Sequence, residues 1–204
     1  MRRAALLGAG LLALALPAGA QGVVEGPKVQ IAALAGWGFG GSVTNLETGL
    51  ERSFDAAPVY GGTLGIKVGE GWFAEGYFSR QKSKLGGGGV TPDFDVALER
   101  YLVGIQQETG TNPRVRWFGT FWLGATRFVP GGGLDSATKF TGGLGLGVKT
   151  YFSDNIGLRL EARGFYTVVK GEGGLLCVNG SCLFAFSGSG LWQGDVGGGL
   201  IIAF

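Results

Sequence analysis

This chain contains few types of side chain that could act in catalysis or bind a metal. Its 204 residues include no His, which excludes a Ser–His–Asp triad, a His-ligated metal site and a His general base. Carboxylates could still act as acid and base. Glu161, however, lies two residues from both Arg159 and Arg163, which is a pattern of charge pairing, and neither Glu75 nor Asp195 has a second acid beside it. We therefore predict no catalytic residue, no cofactor site and no metal site.

The two cysteines, Cys177 and Cys182, flank the sequence Val-Asn-Gly-Ser. Asn-Gly is a strong signal for a two-residue hairpin turn. Such a turn would place the two cysteines opposite each other in a non-hydrogen-bonded pair, with Cα atoms about 4.5 Å apart, within disulfide range. We predict a disulfide that staples this hairpin, since a secreted protein meets an oxidising compartment. Two free thiols are the alternative, and two thiolates alone make a poor metal site.

A run of glycines at residues 142–147 has the sequence GGLGLG. Its spacing does not match the dinucleotide motif G-x-G-x-x-G, and no helical pattern follows it. The alternate glycines Gly143, Gly145 and Gly147 instead predict a smooth patch on one face of a strand.

The first 20 residues resemble a secretory signal peptide. Arg2 and Arg3 precede an apolar run at residues 4–16, and Ala18-Gly19-Ala20 provides the small residues needed for cleavage after Ala20. The apolar run is shorter than the roughly 20 residues that span a bilayer. A short amphipathic or anchoring helix is the alternative. We predict one mature domain, residues 21–204.

The composition of the mature chain argues against both a nucleic-acid binder and a disordered protein. Without Arg2 and Arg3, the 17 cations fall to 15 and equal the 15 acids, whereas nucleic-acid binding calls for a basic face. The chain has 43 Gly but also 14 Phe, 5 Trp and 5 Tyr, which disordered chains lack. Glycine among aromatic residues is typical of strongly curved, closely packed strands.

Period-two alternation dominates the chain after the leader. It is clearest at residues 156–167, where Leu158 and Leu160 share one face and Arg159, Glu161 and Arg163 share the other. We predict eight strands, at residues 28–40, 58–68, 72–83, 96–108, 114–128, 137–151, 156–169 and 191–204.

The lengths of the connections indicate how these strands are arranged. Short links follow the second, fourth and sixth strands, and longer links follow the first, third, fifth and seventh. In an up-and-down meander this alternation places all long loops at one end, as in outer-membrane barrels with tight periplasmic turns. We predict an all-β fold, an eight-stranded antiparallel transmembrane β-barrel.

The apolar faces are predicted to point outward, the reverse of a soluble lipocalin-like barrel. They carry the aromatic residues expected at membrane interfaces, Trp37, Phe39, Tyr60, Trp117 and Trp192. The polar faces would then fill an interior that eight strands leave just wide enough for side chains. We predict a plug of paired charges there, with a conducting pore or a catalytic site as the alternative. Its residues are Lys67, Glu75, Arg116, Lys149, Arg159, Glu161, Arg163 and Asp195.

The last strand carries a further pattern, the alternation Leu200, Ile202, Phe204 at its end. This looks like the terminal signal of barrels inserted by the outer-membrane assembly machinery. Residues 28–204 as a whole resemble the superfamily of small eight-stranded barrels that includes the OmpA transmembrane domain and the OmpX-like proteins. The resemblance implies the fold, a bacterial outer-membrane location, and contact with outer-membrane lipid and lipopolysaccharide. It does not imply an activity.

Three functions are compatible with such a barrel. The leading hypothesis is a non-enzymatic envelope protein that presents its external loops in envelope integrity, adhesion or surface interaction; the loop partner is not identified. A barrel that binds or modifies lipid A acyl chains is the second, and it would need a dry apolar pocket beside Ala32, Leu34, Gly36 and Gly38 or beside the glycine patch. A narrow channel for small solutes is the third. A charge plug in the interior would favour the envelope protein, an apolar half-cavity the lipid-binding barrel, and a water-filled lumen the channel.

Overall fold

The computed structural model describes residues 27–45, 51–86, 94–132, 135–169, 174–178, 181–186 and 190–204. The predicted signal peptide lies outside these residues. Among the described residues, no helix is long and apolar enough to cross a bilayer. They form twelve strands: β1 (Val29–Phe39), β2 (Ser42–Asn45), β3 (Glu51–Phe54), β4 (Ala57–Gly69), β5 (Trp72–Gly86), β6 (Phe94–Thr109), β7 (Val115–Pro130), β8 (Ala137–Tyr151), β9 (Ile156–Val168), β10 (Gly174–Val178), β11 (Ser181–Phe186) and β12 (Gly190–Ala203).

Eight long strands close into a barrel. Each of β4, β5, β6, β7 and β8 pairs antiparallel with the next strand, and β9 pairs with β12. The first and last strands then close the ring, since β1 pairs with both β4 and β12. The predicted eight-stranded antiparallel barrel is confirmed, and the observed strand limits lie within three residues of the predicted ones.

Side chains alternate strictly between the interior and the outer wall because successive residues of a strand point to opposite faces. On β9, Arg159, Glu161 and Arg163 are buried, whereas Leu158 and Leu160 are exposed. The apolar faces point outward, as predicted. We call the end with the short turns and the chain terminus the turn end, and the opposite end the loop end.

Four short strands extend the wall beyond the barrel at the loop end, and β2 and β3 among them were not predicted. β3 pairs with the last residues of β5, and β2 pairs with β3. β11 then pairs with β2, opposing Phe184 to Asn45, and β10 pairs with β11. Backbone pairing therefore joins the connection after β1 to the connection after β9 in one sheet.

Candidate functional site: the charged interior of the barrel

The centre of the barrel is organised around Arg159 of β9, whose side chain is 1% exposed. Its Nη1 and Nη2 donate to the two carboxylate oxygens of Glu75 at 2.6 and 3.2 Å, and its Nε donates to Glu161 Oε2 at 3.0 Å. Nη1 also donates to Thr63 Oγ1 at 3.1 Å. Trp122 Nε1 donates to Glu75 Oε1 at 3.1 Å. One cation is thus held between two acids, and each of its three side-chain nitrogens has an acceptor.

A second cluster lies toward the turn end and centres on Glu108. Lys149 Nζ donates to Glu108 Oε1 at 2.6 Å, and Arg116 Nη1 lies 3.3 Å from Glu108 Oε2. The amides of Gln30 and Gln106 donate to the same carboxylate at 3.0 and 3.1 Å, while Gln30 Oε1 accepts from Lys149. Five polar side chains from four strands therefore share one buried hydrogen-bonded group, which offsets the cost of removing charge from water.

A third cluster lies toward the loop end. Arg163 Nε donates to Asp195 Oδ1, and its Nη1 lies 4.0 Å from Glu161 Oε2, which links this cluster to the central one. Arg100 Nη2 donates to Gln193 Oε1 at 3.0 Å, and the guanidinium lies 4.6 Å from the centre of the Phe165 ring. The polar interior is therefore nearly continuous along the barrel.

Aromatic side chains occupy the interior between the central and loop-end clusters. The ring centroids of Tyr77 and Trp122 lie 5.4 Å apart, and those of Tyr77 and Phe165 lie 6.0 Å apart. Trp122 and Phe165 are both 0% exposed. Charged and aromatic side chains together fill the cross-section, as expected for the narrow interior of an eight-stranded barrel.

The glycine patch on β8 is covered by these aromatic side chains. A Cβ added to Gly143 would lie 2.8 Å from Phe165, and one added to Gly147 would lie 2.4 Å from Phe118. The patch is thus the surface against which bulky inward-facing residues pack. On β1, Ala32 and Leu34 belong to the same buried apolar cluster. Neither location proposed for an acyl-chain pocket is an open half-cavity within the described residues.

Substitution of Gly145 tests this packing. A Cβ there would lie 2.5 Å from Thr120 Oγ1 and 2.8 Å from both Glu161 Oε1 and Trp122. We expect Gly145→Ala to lower the free energy of unfolding by about 1–3 kcal/mol, the usual cost of overpacking, measured by urea unfolding in lipid vesicles. Gly164→Ala is the matched control, because a Cβ at Gly164 meets nothing within 4 Å. Equal stability of the two variants would contradict a filled interior.

The structure places the eight charges that the sequence assigned to the interior as follows. Lys67 faces inward but is only half-buried, and it makes no ion pair within 4 Å among the described residues. The other seven face inward and take part in ion pairs: Glu75, Arg116, Lys149, Arg159, Glu161, Arg163 and Asp195.

Several polar residues of the interior were missed by sequence reasoning, among them Arg100, Gln106, Glu108, Gln30 and Gln193. Arg100 was obscured by its neighbour Glu99, and the pairing of β6 with β5 resolves this, since Arg100 lies opposite the inward-facing Ser79. The same inward register extended along β6 would have found Gln106 and Glu108. Gln30 and Gln193 were passed over because they are uncharged, although both alternate with apolar wall residues. Among the described residues, no group of three or more metal-ligand side chains is placed to hold a metal ion.

Cys177 and Cys182 occupy opposite positions in the pairing of β10 with β11, as the Asn-Gly turn predicts. The turn residues lie outside the described part of the chain, so the disulfide stays a prediction. Leu200, Ile202 and Phe204 all face outward at the turn end of the barrel wall.

A closed eight-stranded barrel with an apolar wall and an ion-paired interior is the architecture of an outer-membrane β-barrel protein. Residues 6–181 match the family described as outer membrane protein beta-barrel domain. The chain therefore belongs to that family, and its predicted kinship with small outer-membrane barrels is confirmed. Membership places it in the bacterial outer membrane.

Solved structures show the same fold. Neisserial surface protein A (NspA) superposes with a TM-score of 0.58 at 14% identity, covering 87% of this chain and 97% of that one. OprG from Pseudomonas aeruginosa superposes with a TM-score of 0.56 at 10% identity, covering 88% and 98%. No significant sequence match to a curated protein was found. At these identities the likeness concerns the fold alone.

Proposed function

We propose that this chain is a non-enzymatic outer-membrane protein whose barrel is a rigid scaffold for an external surface that acts in envelope integrity, adhesion or surface interaction. The observation that carries the proposal is the sheet at the loop end. Two connections far apart in sequence, after β1 and after β9, are joined there through the pairing of β11 with β2. Loops that served only to link strands would not need this shared backbone structure.

The barrel interior supports a scaffold over the two alternatives. A solute channel needs a water-filled lumen, whereas the cross-section at Arg159 and Trp122 is occupied by side chains that are 0–1% exposed. A barrel that handles acyl chains needs a dry apolar cavity, but Gly143 and Gly147 of the glycine patch pack against Phe165 and Phe118. On β1, Ala32 and Leu34 are part of a packed buried cluster. Buried ion pairs between strands also resist distortion of the wall, because separating them leaves a charge without a partner.

Export and assembly form part of the proposal. We infer that residues 1–20 are removed after Ala20 and that residues 21–204 form the mature barrel. The outward-facing alternation of Leu200, Ile202 and Phe204 on the last strand suits a signal read by the outer-membrane assembly machinery. The exposed apolar wall suits outer-membrane lipid and lipopolysaccharide as surroundings.

The double variant Cys177→Ser, Cys182→Ser tests the role of the loop-end sheet. The predicted disulfide closes a ring of few residues, so it removes little entropy from the unfolded chain, and the eight-strand ladder does not include it. We expect normal insertion and unchanged heat-modifiable gel mobility. Proteolysis within residues 174–186 should become faster, and adherence and autoaggregation of bacteria displaying the protein should fall to the level of cells lacking it.

Wild-type protein treated with a thiol reductant is the matched control and should reproduce the protease sensitivity. Failure of the double variant to reach the membrane would identify the hairpin as a folding element. Unchanged adherence despite an opened loop would contradict the proposed surface function. A stable open conductance of the wild-type barrel in planar bilayers would favour the channel instead.

A further inference from the structure

The outer wall of the barrel is charged on one side only. On the eight barrel strands, every charged side chain that points outward lies on the neighbouring strands β5, β6 and β7, toward the loop end. The outward-facing residues of β1 and β12 include no charge, and those toward the loop end are Trp37, Phe39 and Trp192. The charged sector comprises Arg80, Lys82, Lys84, Asp95, Glu99 and Arg127.

This charged sector has an excess of two positive charges. Arg80 lies opposite Glu99, with Nε 3.6 Å from Oε1, and Glu99 lies opposite Arg127 on the next strand. Lys84 lies opposite Asp95, but Lys82 lies opposite the uncharged Ala97. Glu99 thus lies between two arginines in the strand register, and Lys82 has no acid directly across from it. The sector is suited to an anion.

Its depth relative to the membrane follows from the residues beneath it. One outward position nearer the turn end, Phe78 and Tyr101 lie opposite each other with ring centroids 5.1 Å apart. Tyr101 Oη donates to Glu99 Oε2 at 3.2 Å. Aromatic residues with a polar end mark the boundary between hydrocarbon and headgroups, so Arg80, Lys82 and Lys84 lie at the level of the headgroups and beyond.

The same sector contains a groove. A cavity of about 550 Å³ lies at the loop end of β5, β6 and β7, and the three basic residues of β5 are among those that line it. Asp95 and Pro130 also line it. A concave surface with basic side chains can surround an anionic group, whereas a flat row of lysines would only face the solvent.

We propose that the charged sector binds the phosphate groups of lipid A in the outer leaflet. Lipid A presents phosphates at the headgroup level that Arg80, Lys82 and Lys84 reach, and its acyl chains would lie along the apolar wall below Phe78 and Tyr101. Phosphate accepts strong charge-assisted hydrogen bonds from Arg and Lys. The opposite wall, with its exposed aromatic residues, contacts acyl chains without holding a headgroup. The barrel therefore has one preferred side for lipopolysaccharide.

The test measures binding of diphosphoryl lipid A to the refolded mature protein in detergent, by native mass spectrometry. The variant Arg80→Gln, Lys82→Gln, Lys84→Gln should bind at least tenfold more weakly, since each cation near an anionic lipid surface contributes about fivefold in affinity. Lipid A without its phosphates should bind the wild type as weakly as the variant binds intact lipid A. Inorganic phosphate at the same concentration should not compete.

The control removes exposed cations from the turn end, by Lys28→Gln and Arg114→Gln, and should bind like wild type. The substituted residues of the charged sector are exposed, and heat-modifiable mobility confirms that each variant is folded. Lys82→Glu alone should also weaken binding, which keeps the test decisive if the triple variant folds poorly. Equal binding by wild type and the charged-sector variants, equal binding of dephosphorylated lipid, or displacement by inorganic phosphate would each overturn the proposal. Adherence of cells does not enter this measurement, so its outcome is independent of the surface function proposed above.

Discussion

Replacing Arg159 with Met is expected to lower the free energy of unfolding of the barrel by about 3–5 kcal/mol, the usual cost of removing one partner from a buried charge cluster. Arg159 donates to both carboxylate oxygens of Glu75 and to Glu161. Without it, two acids would remain in an interior from which water is largely excluded. Arg163, which lies 4.0 Å from Glu161, is already engaged with Asp195. The measurement is reversible urea unfolding in lipid vesicles.

The compensated variant Arg159→Met, Glu75→Gln, Glu161→Gln is the control for this prediction. It removes the cation together with both acids, and a neutral replacement of similar volume is often close to the wild type in stability. Gln at position 75 can still accept the hydrogen bond from Trp122 Nε1. We expect the triple variant to recover most of the lost stability. If Arg159→Met alone were as stable as wild type, the central ion pairs would not contribute to the folded barrel.

Leu160→Arg is expected to cost roughly 2–4 kcal/mol, the penalty for a cation on the lipid face near the bilayer midplane. Leu160 follows the buried Arg159 but points outward, with 57% of its surface exposed. It lies in the middle of the apolar outer face of β9. A positive charge is therefore predicted to have opposite effects on stability at neighbouring positions of one strand. Removing the cation at position 159 destabilises the barrel, and so does adding one at position 160.

Tyr60→Arg is the matched control for depth. Tyr60 is outward-facing and lies opposite Arg80 in the pairing of β4 with β5, at the level where a cation on the lipid face costs only about 0–1 kcal/mol. Urea unfolding in vesicles of equal thickness compares the two variants. A harmless Leu160→Arg would require the inner and outer faces of the wall to be exchanged.

The densely packed interior can stabilise the positions of the strands that carry the external surface. The central cluster connects β4, β5, β7 and β9 across the lumen through Thr63, Glu75, Trp122 and Arg159. Because these bonds are short and buried, they resist changes in the distances between strands, and we expect the connections that leave the loop end to start from fixed positions. A sheet assembled from two separate connections, as in the pairing of β11 with β2, requires such fixed positions.

Local patterning along the chain was sufficient to predict the barrel and its orientation toward lipid. Period-two alternation can be recognised from adjacent residues alone, without knowledge of distant contacts. It was sufficient to find eight strands and to assign Leu160 and Arg159 to opposite faces of β9. The alternating lengths of the connections determined the up-and-down order. The bilayer determined that the face carrying Trp37 and Trp192 points outward, because a charged face cannot be exposed to hydrocarbon.

The contacts between interior side chains could not be predicted from this local patterning. Arg159 and Glu75 are 84 residues apart and lie on strands on opposite sides of the barrel, so their contact depends on closure and on the stagger of the strands around the ring. The burial of the glycine patch beneath Trp122 depends on the same stagger. The alignment of Arg80, Glu99 and Arg127 across β5, β6 and β7 depends on it as well. No period along the chain carries this information, because contacts across a lumen and between the ends of different strands are set by the closed sheet as a whole.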